Sequence, residues 1–382
     1  GVGPGRNGCT NCGECMTGCR HNAKNTLVKN YLYLAEENGA EVWPLTTVTF
    51  FARTDGGWRV ETSATARGGR TQSVSAGQII VAAGALGTAK LLQKVRQAGN
   101  LPGISPTLGA NTRTNSESLL GVVSKDKSRD FSEGSAITSS VYPRPDTHIE
   151  PVRYGKGSNL MAALQVLMSS GSKGEAPTPW RLIRTSLRNI SKLPKFYNFR
   201  SWSERTLILL VMQSRDNSLV TFRKRGIFGS KLTSRQGHGQ ANPAWVPEGH
   251  RFAKALAAEI DGTAGAVTTE AFGIPMTAHF LGGATIGASA ENGVVDGYLR
   301  VFGEPGLHIF DGSALSANPG VNPSLSIAAQ AEWACAHWPN LGEADTRPAL
   351  GEGFKLISPV APNKPVVPAN APAALRLPIR PN

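Results

Sequence analysis

The chain has 382 residues, of which 40% are hydrophobic and 18% are charged, so it can build a large core and wholesale disorder is excluded. It has no apolar run long enough to span a bilayer, and its 43 glycines and 25 prolines indicate many turns rather than a helical bundle. The net charge is +13, and residues 171–240 hold 14 Lys and Arg against 3 Asp and Glu, which predicts an anionic partner for that stretch.

The N-terminal segment carries four of the five cysteines: Cys9, Cys12, Cys15 and Cys19. Their C-x2-C-x2-C-x3-C spacing is that of a bacterial ferredoxin ligand run. Two features weaken that interpretation, because Arg20 stands where the run has proline and the remaining Cys335 is distant. An iron–sulfur cluster, a zinc or redox pair and a structural role all remain open.

The predicted elements that follow alternate between helix and strand. In chain order they are a helix over 25–38, strands over 40–44, 46–53 and 58–64 with a hairpin turn at 55–57, and strands near 118–124 and 135–142. Further on come paired strands 207–213 and 218–223, a strand at 231–234, a helix over 247–261, a strand at 307–310 and a helix over 324–337. From residue 348 a Pro-rich sequence predicts an extended tail.

One segment has the geometry of a nucleotide site. An apolar strand over 78–83 runs into Gly84-Ala-Leu-Gly87 and then a predicted helix over 88–98. The formal G-x-G-x-x-G at Gly3, Gly5 and Gly8 is rejected, because no strand precedes it and no helix opens at Gly8.

The basic stretch contains an amphipathic helix over 180–192. Its apolar face is Ile183, Leu187 and Ile190, and its basic face is Arg184, Arg188 and Lys192. With Trp180 at the edge, such a helix can lie on an anionic membrane surface through residues 180–200; the alternative is a solvated helix packed on its own domain. No nucleic acid is expected, since the aromatic residues do not alternate with the basic ones.

The last third of the chain holds the best catalytic candidates. His279 precedes a small-residue turn, and Asn322-Pro323 has the form of a helix N-cap, whose positive end would stabilise a reduced flavin. His279 would take a hydroxyl proton while hydride leaves the same carbon, or it is a packing residue.

Together these segments resemble the glucose–methanol–choline (GMC) oxidoreductase family, and its sterol-oxidising, non-covalent-FAD branch of actinobacterial type. Four segments carry the resemblance: Ala23 to Leu27 after the cysteines, Ile79 to Leu92, Asp311-Gly312-Ser313, and Val321-Asn322-Pro323. The resemblance covers about residues 8–340. In that branch the Cys-rich start implies no cluster, so no metal is expected.

The resemblance also implies residue roles. His279 and Asn322 match the active-site pair, and Glu204 matches by offset the base of steroid isomerisation, although a salt bridge to a neighbouring Arg is its alternative. Val48 matches a backbone contact to the FAD adenine. The remaining cofactor contacts implied are Gly84, Asp311, Gly312, Asn322 and Ser324. Phe280 and Ala284 depart from a usual proline and cysteine, which affects the expected pocket shape.

The implied activity is FAD-dependent oxidation of a sterol 3β-hydroxyl, with oxygen reduced to hydrogen peroxide and the Δ5 double bond moved to Δ4. The expected fold is mixed α/β, with a partial GMC-type FAD-binding domain and an antiparallel-sheet substrate domain. The expected divisions are 1–110 (FAD side), 111–265 (substrate domain with a basic insertion at 171–205), 266–340 (return to the FAD side) and 341–382 (tail).

The family's first βαβ unit, with its G-x-G-x-x-G, is expected before the cysteines and is not in this sequence. The chain is therefore expected to be a fragment, or to rely on a partner chain for that half of the site. The alternative function is a catalytically silent fragment or membrane-surface binding module. Another GMC alcohol oxidase or dehydrogenase is the second alternative. Location is left open between cytoplasm and the periphery of the cell envelope.

Overall fold

The computed structural model describes residues 3–66, 69–169, 175–227 and 229–365. Its α-helices are α1 (Tyr31–Glu37), α2 (Gly84–Gln97), α3 (Pro179–Arg188), α4 (Leu193–Phe196), α5 (Trp202–Arg205), α6 (Pro247–Glu259), α7 (Thr268–Ala271) and α8 (Ser324–Ala336). Short 3-10 helices cover Glu14–Met16, Leu27–Lys29, Leu160–Leu164, Ile190–Lys192 and Gly312–Ala314. Among the described residues, none of these helices has the length and apolarity needed to cross a membrane.

The strands form one large sheet and several small ones. They are β1 (Thr46–Thr54), β2 (Gly57–Ala64), β3 (Thr71–Ala76), β4 (Ile79–Val81), β5 (Arg113–Thr114), β6 (Ser118–Ser124), β7 (Val141–Arg144), β8 (Thr147–Val152), β9 (Gln165–Leu167), β10 (Thr206–Gln213), β11 (Leu219–Gly226), β12 (Gly229–Gln236), β13 (Gly262–Val267), β14 (Phe280–Leu281) and β15 (Leu307–Ile309).

Residues from the first and the last third of the chain form one hydrophobic core. Strand β15 pairs in parallel with β4, with Leu307 opposite Ile79 and Ile309 opposite Val81. Helix α2 and the antiparallel sheet β1-β2-β3 pack around this pair. Burial of apolar side chains from both ends makes this region one body despite more than 200 intervening residues. Its largest fully buried side chains include Trp58, Leu92, Leu307 and Ile309.

The central sheet has the antiparallel order β7-β8-β10-β6-β13-β9. Alternation along each strand directs Leu120, Val211 and Ile149 onto α6, which closes one face of the sheet. The opposite face carries Leu119, Leu210 and Val152, and it is covered by loops and short helices rather than by a second sheet. That face borders the site described below.

Several predicted elements are confirmed closely, among them β1, β2, β6, β10, α6 and α8. The predicted pairing of 207–213 with 218–223 is wrong: β10 lies between β6 and β8, and β11 pairs with β12. The intervening loop is held elsewhere, because the Arg113 guanidinium donates to Asp216 Oδ1 (2.8 Å) and to the Asn217 carbonyl (3.0 Å). These side-chain contacts replace the expected hairpin.

Other expectations change at the element ends. Residues 40–44 form no strand, and the strand expected at 135–142 is found only at Val141–Arg144. The turn expected at Gly84–Gly87 is instead the first turn of α2. Residues 341–365 have no regular structure, but Phe354 stacks on Tyr298 (ring centroids 5.6 Å apart). Parts of the predicted insertion (171–174) and tail (366–382), and residues 1–2, lie outside the described residues.

Candidate active site

His279 is held by a buried carboxylate. Its Nδ1 lies 2.7 Å from Glu117 Oε1, and the Glu117 side chain is only 2% exposed. Glu117 also accepts hydrogen bonds from the Ala278 amide and the Thr277 hydroxyl. A carboxylate so fixed favours the tautomer with the proton on Nδ1, which leaves Nε2 as a base.

Asn322 contacts a second buried carboxylate. Its Nδ2 donates to Glu150 Oε1 at 2.7 Å, and Glu150 is 4% exposed in β8. Asn322 is therefore not the helix N-cap that was expected, since Pro323 takes that position at the start of α8. The contact with Glu150 orients the amide and leaves its Oδ1 and second N–H for a ligand.

The two pairs belong to one framework. Asn115, two residues before Glu117, donates through Nδ2 to the carbonyl of Val321 at 2.9 Å, next to Asn322. Glu150 in β8 lies opposite Leu210 in β10, and Leu210 lies opposite Leu119 in β6. Glu117 directly precedes β6, so one strand, β10, separates the two carboxylates. The sheet thereby fixes the relative positions of His279 and Asn322.

Glu204 has different surroundings. Its carboxylate accepts from the Ser203 hydroxyl (2.8 Å), and its carbonyl accepts from the Phe131 amide (2.7 Å). The salt bridge considered for it is not among the ion pairs of the described residues. Within the part of the chain that the structure describes, no hydrogen bond or ion pair joins Glu204 to His279 or Asn322, so its role stays a prediction.

An apolar cavity of about 290 Å³ lies on the face of the central sheet opposite α6. Its walls include Leu119, Leu210, Met161, Trp202, Met276 and Ala278. Ala278, in the cavity wall, directly precedes His279. Its size is near the lower end of the ~300–1,000 Å³ usual for small-molecule sites, and its lining suits a rigid apolar ligand.

Gln165 contributes a polar group to this cavity wall. The Gln165 amide accepts from the Trp202 indole N–H at 2.7 Å, whereas its Nε2 is buried without a hydrogen-bond partner. That nitrogen occupies the space above Gly121, 3.0 Å from where a Cβ would stand. A donor buried without a partner is costly, so a ligand or water oxygen in the cavity would stabilise it.

The predicted cofactor residues gather at the carboxyl ends of β4 and β15. Thr88 Oγ1 donates to Asp311 Oδ2 (2.5 Å), which joins α2 to the Asp311-Gly312 turn. The Gly282 amide donates to the Gly312 carbonyl (2.9 Å). Gly84 has φ +71°, a conformation that suits glycine at this turn.

The remaining predicted contacts lie on accessible backbone. Val48 is 43% exposed on β1, and Ser324 is exposed as the first residue of α8. Ile80 and Leu86 are half-exposed at the same edge. Two helix N-termini with free N–H groups, next to exposed apolar side chains, match the chemistry of a dinucleotide with a flat ring system. The residues present therefore fit FAD.

Sequence comparison decides the family. The GMC oxidoreductase family models match residues 4–114 and 230–331, more than half of the chain. This chain belongs to the GMC oxidoreductase family. The predicted resemblance, the mixed α/β fold class and FAD as the cofactor are thereby confirmed, as is the class of FAD-dependent alcohol oxidoreductase.

Individual GMC relatives are also similar. A cholesterol oxidase of Mycobacterium tuberculosis (strain CDC 1551 / Oshkosh) is 54% identical over 391 residues, covering 100% of this chain and 68% of that protein. A cholesterol oxidase of Acinetobacter baumannii is 42% identical over 357 residues, covering 89% and 62%. The solved structure of pyridoxine 4-oxidase from Mesorbium loti is 15% identical with a TM-score of 0.46, covering 76% and 56%.

Sequence reasoning missed both carboxylates of this GMC site. Glu117 directly precedes the buried strand β6, and Glu150 lies within the largely buried strand β8. An acidic residue in or next to a buried strand is the signal that could have found them, because such a group needs a partner.

Proposed function

We propose that this chain oxidises the 3β-hydroxyl group of a sterol, using FAD. The observation that carries the proposal is His279, which is oriented by the buried Glu117 and directly follows Ala278, a residue in the wall of the apolar cavity. The similarity to cholesterol oxidases of two bacteria supports a sterol as the substrate. A tetracyclic ring system would bury its apolar surface against the cavity walls.

The chain's own residues supply positioning and proton transfer. His279 Nε2 accepts the hydroxyl proton, and Glu117 stabilises the imidazolium that forms. Asn322, held by Glu150, donates its second N–H to the substrate oxygen. Bound FAD supplies a flavin that accepts the hydride from the alcohol carbon. Val48, Gly84, Asp311, Gly312, Asn322 and Ser324 would hold it.

We extend the proposal to dioxygen as the electron acceptor, giving hydrogen peroxide, and to movement of the Δ5 double bond to Δ4. The second reaction needs a carboxylate that carries a proton across one face of the steroid. Glu204 is the residue predicted from sequence, whereas Glu150 has in its favour direct contact with Asn322.

Anaerobic titration of the FAD-loaded protein tests the function. Cholesterol should bleach the flavin absorbance, whereas bleaching by a simple alcohol or a sugar instead would contradict the sterol assignment. His279→Gln should keep the fold and bound flavin but lose reduction, with exposed His238→Gln as the matched control. A colourless protein that sediments with anionic vesicles would favour the alternative of a silent membrane-binding module.

We also propose that α3 rests on an anionic membrane surface. Its apolar residues face outward, with Trp180 72% and Leu187 67% exposed, which supports contact of this stripe with a membrane surface. The alternative is a solvated helix whose other face packs on its own domain. The helix contacts β9 and α7, which line the substrate cavity through Gln165 and Thr268. This position suits transfer of a sterol from membrane to site.

A further inference from the structure

The four N-terminal cysteines surround one cavity, separate from the substrate cavity. This cavity has a volume of about 250 Å³, and its walls include Cys9, Cys12, Cys15, Cys19, His21 and Lys24. All four thiols are free of disulfides. Chain segments that pack for structure alone bring apolar side chains together, whereas here four sulfur ligands line an open space.

Backbone amides already point at two of these sulfurs. Cys19 Sγ accepts from the amides of Ala23 (3.3 Å) and Lys24 (3.4 Å), and Cys9 Sγ accepts from the Asn11 amide (3.4 Å). Hydrogen bonds to sulfur are one of the levers by which proteins set the potential of iron–sulfur clusters. The Lys24 ammonium, bonded to the Cys15 carbonyl, adds positive charge beside the thiolates.

The distances between the ligand atoms favour an iron–sulfur cluster over a single metal ion. Among the described residues, the set whose ligand atoms all lie within 4.8 Å of one another is Cys12, Glu14 and His21, and no three cysteines form such a set. One tetrahedral ion would need the four sulfurs to converge, whereas a cluster lies between sulfurs that are further apart. The cavity occupies the space between them.

Contrary to the expectation from the family resemblance, we propose that Cys9, Cys12, Cys15 and Cys19 bind an iron–sulfur cluster. The spacing is that of a ferredoxin ligand run, and all four thiols serve one cluster here because the other cysteine, Cys335, is far along the chain in α8. This inference does not depend on the proposed sterol oxidation.

The cluster site borders the substrate region. Cys12 forms a β-bridge with Gly134. Gly134 and Ser135 form part of the wall of the cavity that the cysteines line. Met16, which follows Cys15, lines the substrate cavity. Cys15 and Met16 are consecutive residues, so this stretch of chain contributes to the walls of both cavities.

Metal and sulfide analysis of FAD-loaded protein made under anaerobic conditions tests this proposal. We expect several iron atoms and an equal amount of acid-labile sulfide per chain, with an electron paramagnetic resonance signal in either the isolated or the dithionite-reduced protein. Cys12→Ser and Cys15→Ser should each lose at least half of the iron and sulfide, while Cys335→Ser should keep both.

If the serine variants fail to fold, chelator-treated protein that keeps its circular dichroism gives a second test. Ferrous iron and sulfide should restore the signal, and folded protein that fails to take up iron and sulfide would overturn the proposal. One zinc per chain without sulfide, lost in His21→Gln, would also overturn it in favour of a single ion at Cys12, Glu14 and His21. Folded wild-type protein that contains FAD but no metal would also overturn the proposal.

Discussion

At the scale of single residues, the site depends on which imidazole nitrogen carries the proton. Glu117 is almost fully buried and contacts the Nδ1 side of His279. Ala278 and Thr277 bond the same carboxylate, so its orientation is fixed from three sides. Glu117 is thus a positioning residue that acts through His279 rather than on the substrate.

Glu117→Gln should slow flavin reduction by about 10²-fold, on the scale that a positioned general base contributes. The neutral amide can present either end to Nδ1, and it no longer stabilises the imidazolium. Stopped-flow measurement of flavin reduction by the sterol checks this. Exposed Glu259→Gln is the control. Unchanged flavin reduction in Glu117→Gln would remove Glu117 from the mechanism.

The isomerisation base can be assigned by a pair of substitutions. We expect Glu150→Gln to release the Δ5 ketone with little Δ4 product, since Glu150 contacts Asn322. Glu204→Gln should then isomerise normally, because its contacts are to Ser203 and Phe131. Chromatography of the steroid products distinguishes the two ketones. Loss of isomerisation only in Glu204→Gln would instead assign Glu204, the residue predicted from sequence, as the isomerisation base.

At the scale of elements, α3 combines an exposed apolar stripe with a basic face. Arg184→Glu together with Arg188→Glu should weaken binding to anionic vesicles by roughly 10-fold or more, since each basic residue near such a surface contributes about 1 kcal/mol. Vesicle sedimentation measures this, and neutral vesicles should show little difference. Lys224→Glu with Arg225→Glu on β11 is the control; an equal loss there would indicate a non-specific charge effect.

Elements with a strong local pattern could be predicted from sequence, and their partners could not. Strand β6 and helix α6 follow directly from their apolar periodicity. The neighbours of β10 do not, because Arg113, about 100 residues away, holds the loop that was expected to make a hairpin. For the same reason His279 and Asn322 were recognisable from motifs, while Glu117 and Glu150 became evident only when the sheet placed them.

At the scale of the whole molecule, the parallel pair β4–β15 joins the beginning of the chain to its last third. His308, in the middle of β15, is buried: it bonds Gln78 (2.9 Å) and packs on Trp338, with ring centroids 4.5 Å apart. Burial, together with the nearby positive charge of Arg347, lowers the pKa of His308 to about 4 from 6.5. The β4–β15 pair thus contains a buried histidine that is neutral at neutral pH.

This histidine makes the stability of the molecule depend on pH. Above pH 6.5 it is neutral in both states and contributes nothing; below 6.5 the unfolded chain binds a proton that the folded chain refuses until about pH 4, so stability falls as pH falls. The loss at pH 5 should be about 2 kcal/mol relative to pH 8. In His308→Gln this loss should disappear, and in exposed His238→Gln it should remain. Urea unfolding at both pH values measures it, and parallel pH profiles for wild type and His308→Gln would show that the junction does not sense pH.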